Sequence, residues 1–221
     1  MTSFDFHIHS GLSACAEKTM SPRQIVLQAK KAGLNFIAIT DHNASANVKP
    51  ICEASNELGG PVIVPGMEVA SAEEAHFLAL FKSLEALFDF QELVDSKLPN
   101  EQNPVEIFGY QIIYDVSDEV VDTDDRLRQI GTFLTVNEIV SEVKSRGGFI
   151  VPSHVFKTKF SLMSQLGFIM SGAGFDAIEI PARQWVAENY KIGMRVEGYP
   201  AITGSDAHFL DSIGRIYNQI S

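Results

Sequence analysis

The six histidines of this chain all lie in short motifs of candidate ligands. Imidazole is among the commonest metal ligands in proteins and is otherwise an uncommon side chain. A chain that keeps every copy in such motifs is predicted to be a metalloenzyme. The motifs are FDFHIHS with His7 and His9, ITDHN with His42, EEAHFLAL with His76, VPSHVF with His154, and GSDAHF with His208.

Two carboxylates complete the candidate site. Glu68 lies in the apolar segment VPGMEVA, and Asp206 precedes His208 by two residues. Residues i and i+2 of a strand point to the same side, about 6.6 Å apart. His7 and His9 can therefore face one ion, and Asp206 and His208 repeat that spacing. A carboxylate such as Glu68 has two oxygens and can bridge ions about 3.5 to 4 Å apart, as two-metal hydrolases do.

Alternating strand and helix patterns must position these residues. Helical periodicity and capping signals predict helices over residues 21–33, 45–58, 84–98, 135–147, 160–171 and 183–195. Loops and short helices are expected over residues 99–134. Apolar segments predict strands at residues 4–8, 35–40, 61–69, 75–81, 149–153, 175–180 and 201–205.

The ends of these predicted strands bring the motifs together. Parallel α/β folds build their sites at the carboxyl ends of strands. An open sheet would spread the motifs along one edge, whereas a barrel gathers them around one mouth, so the pattern favours a parallel barrel. The residues at or just beyond strand ends are His7, His42, Glu68, His154 and Asp206.

Composition sets further bounds. The chain has 221 residues, 45% of them hydrophobic, and this length and composition fit one catalytic domain over residues 1–221. Its formal charge is −11. No apolar run approaches the roughly 20 residues of a membrane span, and two cysteines are too few for a disulfide framework. We therefore expect a soluble, cytoplasmic protein with no membrane partner. Without a Lys/Arg-rich stripe, nucleic acid is a less favoured partner than a small phosphorylated substrate.

The ordered motifs HIH, TDHN, GMEV, AHFLAL, PSH and SDAH resemble the polymerase and histidinol phosphatase (PHP) superfamily of metal-dependent phosphoesterases. The resemblance extends from residue 7 to residue 208. It implies an α/β fold, a distorted seven-stranded β/α barrel related to the TIM barrel. It also implies two or three divalent metal ions, for which manganese, iron and zinc are the candidates.

The resemblance also implies a ligand set for each ion. The first ion would be held by His7, His9, Glu68 and Asp206. The second would be held by Glu68, His76 and His154. A third would be held by His42 and His208, where many relatives add a histidine from the loop after HxH. Here that place falls near Cys15.

Several roles stay open at this stage. Cys15 is either a thiolate ligand or a packed thiol, and His76 could instead lie exposed on a helix face. Asp41, a candidate catalytic residue, either orients His42 or only ends a strand. Arg183, the second candidate catalytic residue, either contacts substrate phosphate or is a solvated charge. Lys157 and Lys159 either contact a phosphate oxygen at the barrel mouth or are solvated surface charges, and the second interpretation is favoured. Asp5, two residues before His7, either supports His7 or takes no part in the site.

The function these residues predict is hydrolysis of a phosphoester by a metal-activated hydroxide. The substrate class is a small phosphorylated metabolite or a nucleotide. The alternatives are a 3′–5′ exonuclease on nucleic acid ends and a metal-binding module without turnover. An amidohydrolase-like barrel is a further alternative, since such barrels also begin with HxH and end with an aspartate.

Overall fold

A curled β-sheet carries the candidate residues in the computed structural model, which describes residues 1–220. Burial alternates along β1: the polar Ser3, Asp5 and His7 are buried on one face, and Phe4 and Phe6 are partly buried on the other. Over the described range the strands are β1 (Thr2–Ile8), β2 (Phe36–Ile39), β3 (Val62–Ala70), β4 (His76–Leu80), β5 (Ile112–Tyr114), β6 (Val120–Thr123), β7 (Phe149–Pro152), β8 (Ile178–Glu179), β9 (Arg195–Val196), β10 (Tyr199–Ile202) and β11 (Asn218–Ile220).

The main sheet has six strands in the order β11-β1-β2-β3-β4-β7. β1, β2 and β3 are parallel, as predicted. The prediction of parallel strands is wrong for β4, which runs antiparallel to both β3 and β7. The reason is the short connection from β3 to β4, because a parallel crossover needs a dozen or more residues. β11 also pairs antiparallel with β1.

The predicted barrel of seven strands is not confirmed, because two of its strands are not part of this ladder. The predicted strands 175–180 and 201–205 correspond to β8 and β10, which pair in a separate sheet of order β8-β10-β9. Hydrogen bonds outside the two ladders join this sheet to the main one. Asp176 N, just before β8, donates to Ile150 O of β7, and Ala207, after β10, forms a parallel bridge with Ile8 at the end of β1. The two sheets together thus bring β1 and the end of β10 side by side.

Seven helices of the described chain connect the strands, together with a 3-10 turn at Leu210–Ser212. Thr135 forms the capping box with Glu138 that the sequence indicates. The predicted helix 160–171 is shorter because Gly167, at φ 81°, ends it in the left-handed conformation. The helices are α1 (Pro22–Lys31), α2 (Val48–Leu58), α3 (Leu84–Lys97), α4 (Val105–Phe108), α5 (Val136–Ser145), α6 (Leu162–Leu166) and α7 (Ala182–Ala187).

The irregular segment 99–134 packs over the strand ends. It contains α4, as expected, and also the antiparallel pair β5-β6, which the sequence did not indicate. Asn43 fixes its last part, because its Nδ2 donates to Arg128 O at 2.7 Å and to Ile130 O at 2.8 Å. Asn47 fixes β5 by donating to Ile112 O at 2.9 Å. These hydrogen bonds place residues 107–131 over the carboxyl ends of the parallel strands.

The hydrophobic core lies between the sheet and the helices. Ile25 of α1, Ile51 of α2 and Phe90 of α3 are fully buried against it. Burial of such side chains supplies the main free energy that holds the strand ends in place, at about 1.5 to 3 kcal/mol each. Within residues 1–220, no helix is both long and apolar enough to cross a membrane.

Candidate metal centre

Glu68 of β3 lies at the centre of a cluster of histidines. The carboxylate is buried, and its Oε1 atom has no hydrogen-bond partner among the described residues. A buried acceptor without a donor costs about 1 to 3 kcal/mol, and a cation would satisfy it. Its oxygens lie within 3.6 Å of a ring nitrogen of each of His7, His9, His42, His76 and His154.

The electrostatics of the cluster keep Glu68 ionised. Burial by itself raises the pKa of this carboxyl, but attraction to the histidines, His7 first among them, outweighs burial and holds the pKa well below its usual range. An ionised carboxylate is the form that binds a metal ion.

His7 and His9 present two nitrogens and Asp206 presents one oxygen to the same point. The Nε2 atoms of the two histidines are 3.2 Å apart, and each lies 3.4 Å from Asp206 Oδ1. Both imidazoles are fully buried. Asp206 has φ 50°, a conformation uncommon for residues other than glycine, and it follows β10 where the chain returns to β1.

Glu179 is a candidate functional residue that sequence reasoning missed. It ends β8, it is buried, and its carboxylate oxygens lie 2.9 and 3.0 Å from His7 Nδ1. Burial lowers the pKa of His7, but Glu179, Asp206 and Glu68 outweigh burial and raise it well above its usual value. A carboxylate on one ring nitrogen fixes the tautomer that leaves the other nitrogen for a metal.

His76 and His154 approach the same Glu68 oxygen as His7. His76 Nδ1 lies 3.3 Å and His154 Nε2 3.2 Å from Glu68 Oε1. His76 belongs to strand β4, so the alternative of an exposed helix face is wrong. Its ring stacks on Phe160, with centroids 5.1 Å apart and planes 12° apart. His154 has φ 34°, and its backbone N–H donates to Glu179 Oε2 at 2.8 Å.

A third group surrounds the exposed thiol of Cys15. Ligand atoms of His9, His42 and His208 lie within 4.8 Å of one another. Partial loss of water raises the pKa of Cys15, but hydrogen bonds with His208 and His42 outweigh it and lower the pKa to about 7. A thiolate is therefore accessible at neutral pH beside two imidazoles.

Asp41 connects to this cluster through Ser13. Its Oδ1 accepts from Ser13 Oγ at 2.7 Å, and Ser13 Oγ lies 3.0 Å from His9 Nδ1. It also accepts from Ser10 N and Ser10 Oγ, at 2.7 and 2.6 Å. Ser13 Oγ also accepts from His42 N at 3.2 Å, so Asp41 connects through Ser13 to both His9 and the backbone of His42. The connection to His9 depends on the path of the loop 10–13, which the sequence does not indicate.

Asp5 lies beside His7, whose backbone N–H donates to Asp5 Oδ1 at 3.4 Å. Asp5 is fully buried, its Oδ1 accepts from Ser205 N at 3.0 Å, and burial raises its pKa to about 6. Its contact therefore ties β1 to the segment that carries Asp206.

Part of the ligand cluster lines a cavity of about 720 Å³, whereas His7 and His9 are fully buried beneath it. The candidate ligands that line it are Cys15, His42, Glu68, His76, His154, Asp206 and His208. Lys157 lines the cavity and pairs with Asp206 although its side chain is 45% exposed, an ion pair that the sequence did not indicate. Lys159 also lines it. Arg128, which sequence reasoning missed, reaches the wall from segment 99–134 and pairs with Asp124 at 2.7 Å.

Arg183 lies in a neighbouring cavity of about 540 Å³. That cavity shares His154, Lys157 and Asp206 with the main one. Arg183 is exposed at the start of α7 and does not line the main cavity.

Comparison with known protein families identifies this arrangement. The family model of the PHP domain matches residues 5–124, more than half of the chain. The chain belongs to the PHP family. A second model, of a PHP-associated region, matches residues 194–221.

Three relatives illustrate the range of this PHP fold. YqxK of Bacillus subtilis is 23% identical over 98% of this chain and 57% of its own length. A lesion-specific endonuclease from Pyrococcus furiosus superposes with a TM-score of 0.66 and 20% identity, over 98% of this chain and 51% of its own. A putative metal-dependent phosphoesterase from Bifidobacterium adolescentis superposes at 0.57 and 21%, over 93% and 87%.

Because these structures are less than 25% identical to this chain, the similarities establish a shared fold and nothing beyond it. The PHP chain described here spans 57% of the Bacillus relative and 51% of the endonuclease. Within this PHP chain, the cluster around Glu68 contains groups of side chains that could hold metal ions.

The donor set fits divalent metals. Imidazole nitrogens and carboxylate oxygens are ligands of manganese, iron and zinc. Oε1 of Glu68 is buried without a hydrogen-bond partner among the described residues, and a cation bound there would satisfy this oxygen.

Proposed function

We propose that this protein hydrolyses phosphoesters of small molecules with two or three divalent metal ions. The observation that carries the proposal is the Glu68 carboxylate, buried among five imidazoles with one oxygen unpartnered. The proposed ligands of the first ion are His7, His9, Glu68 and Asp206, and those of the second are Glu68, His76 and His154. Those proposed for the third are Cys15, His42 and His208.

When bound, the metals supply Lewis acidity that activates water and neutralises phosphate charge. The residues of the chain position the metal ligands and attract the phosphate. Glu179 and Ser13 hold His7 and His9 in the tautomers that present Nε2 to the ion. Lys157, beside Asp206, and Lys159 attract the phosphate oxygens from the cavity wall. Asp41 acts through Ser13 as a positioning residue.

Arg183 is proposed to contact the part of the substrate that extends beyond the main cavity. The two cavities meet at Lys157 and Asp206, so a substrate on the metals can extend toward α7. All proposed ligands lie between His7 and His208, which supports one catalytic unit over the chain.

A small substrate is favoured over nucleic acid by charge. The formal charge of −11 repels a polyanion, and Arg128 is already paired with Asp95 and Asp124. The TM-score of 0.66 with the Pyrococcus endonuclease supports nucleic acid as the second candidate.

A substrate panel tests the proposal. Protein reconstituted with manganese, iron or zinc is assayed for release of phosphate or alcohol from phosphomonoesters and phosphodiesters. The same preparation is offered lesion-bearing duplex DNA, single-stranded ends, and amides. We expect turnover of small phosphoesters that is lost in Glu68→Gln and retained in Glu92→Gln, whose side chain is exposed. Cleavage of DNA or amides alone would contradict the proposal, and metal binding without any turnover would favour a non-catalytic module.

A further inference from the structure

Three exposed apolar side chains line the cavity above the ligand cluster. Ile107 is 75% exposed, Phe108 40% and Phe160 46%. Ile107 and Phe108 come from α4, whereas Phe160 follows β7 on the segment that carries Lys157 and Lys159. Apolar side chains that stay exposed around a polar cavity are typical of ligand contacts.

Phe160 is held in a conformation that a bulky residue rarely adopts. Its φ is 57°, in the left-handed region. Two contacts with His76 keep it there: the His76 N–H donates to Phe160 O at 3.1 Å, and the two rings stack. Non-glycine residues in such conformations persist where the surroundings enforce them, and they cluster at ligand sites.

The cavity therefore has two chemically different parts. Its floor holds part of the ligand cluster with Lys157 and Lys159 beside it, which suits a phosphate group. Its wall presents a flat ring at Phe160 and apolar surface at Ile107 and Phe108. A ligand that satisfies both parts has a phosphate at one end and a flat apolar group at the other.

We propose that the site selects phosphoesters whose organic part carries a flat aromatic ring, and that Phe160, Ile107 and Phe108 bind this ring. This inference rests on the proposed function and names its substrate class. The ring of the substrate packs against Phe160 by stacking or edge contact and against Ile107 by apolar burial. A nucleobase on a mononucleotide and an aryl group share this chemistry.

Two phosphonates of equal charge test the inference by calorimetry with metal-loaded protein. Phenylphosphonate carries a ring, and methylphosphonate does not. We expect phenylphosphonate to bind about tenfold more tightly, which corresponds to about 1.4 kcal/mol of ring contact. Phe160→Leu and Ile107→Ser should each reduce this preference about threefold or more while methylphosphonate affinity stays within twofold.

The control is Phe168→Leu, because Phe168 is 56% exposed but does not line the cavity. It should retain the wild-type preference. A preference that is absent in the wild type, or unchanged in both cavity variants, overturns the inference and leaves phosphoester hydrolysis standing. Loss of metal from Phe160→Leu with an unchanged preference would assign Phe160 only to the support of His76. If neither phosphonate binds, the proposed function fails together with the inference.

Comparison of a mononucleotide with a ten-residue single-stranded oligonucleotide then tests whether the ring that binds belongs to a small molecule or to a nucleic acid. We expect the mononucleotide to bind more tightly, because the chain's charge of −11 repels the longer polyanion. Tighter binding of the oligonucleotide would overturn the assignment to small molecules.

Discussion

Glu179 Oε2 lies 2.9 Å from His7 Nδ1 and accepts a hydrogen bond from His154 N at 2.8 Å. One carboxylate at the end of β8 thereby supports candidate ligands from the ends of β1 and β7. Gly204 makes this close approach possible, because a Cβ there would lie 2.4 Å from Glu179 Oε1. The position of Glu179 thus depends on three strands that meet only in the folded protein.

Glu179→Gln tests this support. The amide keeps the size of the side chain but removes the charge that favours His7 with its proton on Nδ1. We expect metal affinity to fall about 10- to 100-fold, as measured by competition with a chelator. Glu92→Gln is the matched control. Affinity equal to wild type would show that Glu179 does not position His7.

Cys15→Ser tests the third ion. A serine hydroxyl is a poorer zinc ligand than a thiolate, so the variant should lose one zinc equivalent by elemental analysis. Cys52→Ser is the control, because Cys52 lies in α2 away from the cavity. Unchanged zinc stoichiometry and activity in Cys15→Ser would reject the ligand role.

Alkylation of the metal-free protein tests the environment of Cys15. Hydrogen bonds from His208 and His42 lower the pKa of this thiol to about 7, whereas burial raises the pKa of Cys52 to about 11. Because the thiolate reacts, the iodoacetamide rate at Cys15 should rise through pH 7 and level off above pH 8. Cys52 should stay slow over that range. Mass spectrometry of the two peptides measures both rates, and equal rates at pH 7 would refute the predicted difference.

Arg183→Ala tests the neighbouring cavity. Loss of a substrate contact outside the reacting centre should raise KM several-fold with little change in kcat. The comparison is Arg23→Ala, in which the guanidinium lost is paired with Glu57 on the helical face of α1 and α2. An unchanged KM for Arg183→Ala would count against its contact with substrate.

Much of the candidate site was readable from local sequence. The residues at strand ends, such as His7 and Glu68, are close together in the fold because parallel strands end at one edge. The direction of β4 was also open to inference from the short connection after Ala70. The strand at 175–180 was predicted, but the role of its Glu179 depends on contacts with residues more than 20 positions away.

Other features depend on tertiary contacts that no short pattern encodes. Lys157 looked like a surface charge because its partner Asp206 is 49 residues away. Arg128 reaches the cavity only because Asn43 holds the segment 99–134 over the strand ends. The split into two sheets likewise depends on how β10 returns to β1.

Metal affinity should also decrease as the pH is lowered, because protons compete for the imidazole nitrogens that bind the ion. Titration with manganese or zinc at pH 8, 7 and 6 should give progressively weaker binding and release of protons on loading. Binding that is independent of pH would contradict a site built on histidines.

The most direct measurement is anomalous diffraction from crystals grown with manganese or zinc. The account predicts at least two anomalous peaks in the main cavity, one shared by His7, His9 and Asp206 and one by His76 and His154, with Glu68 between them. Saturating metal with no anomalous peak at these residues would contradict the account.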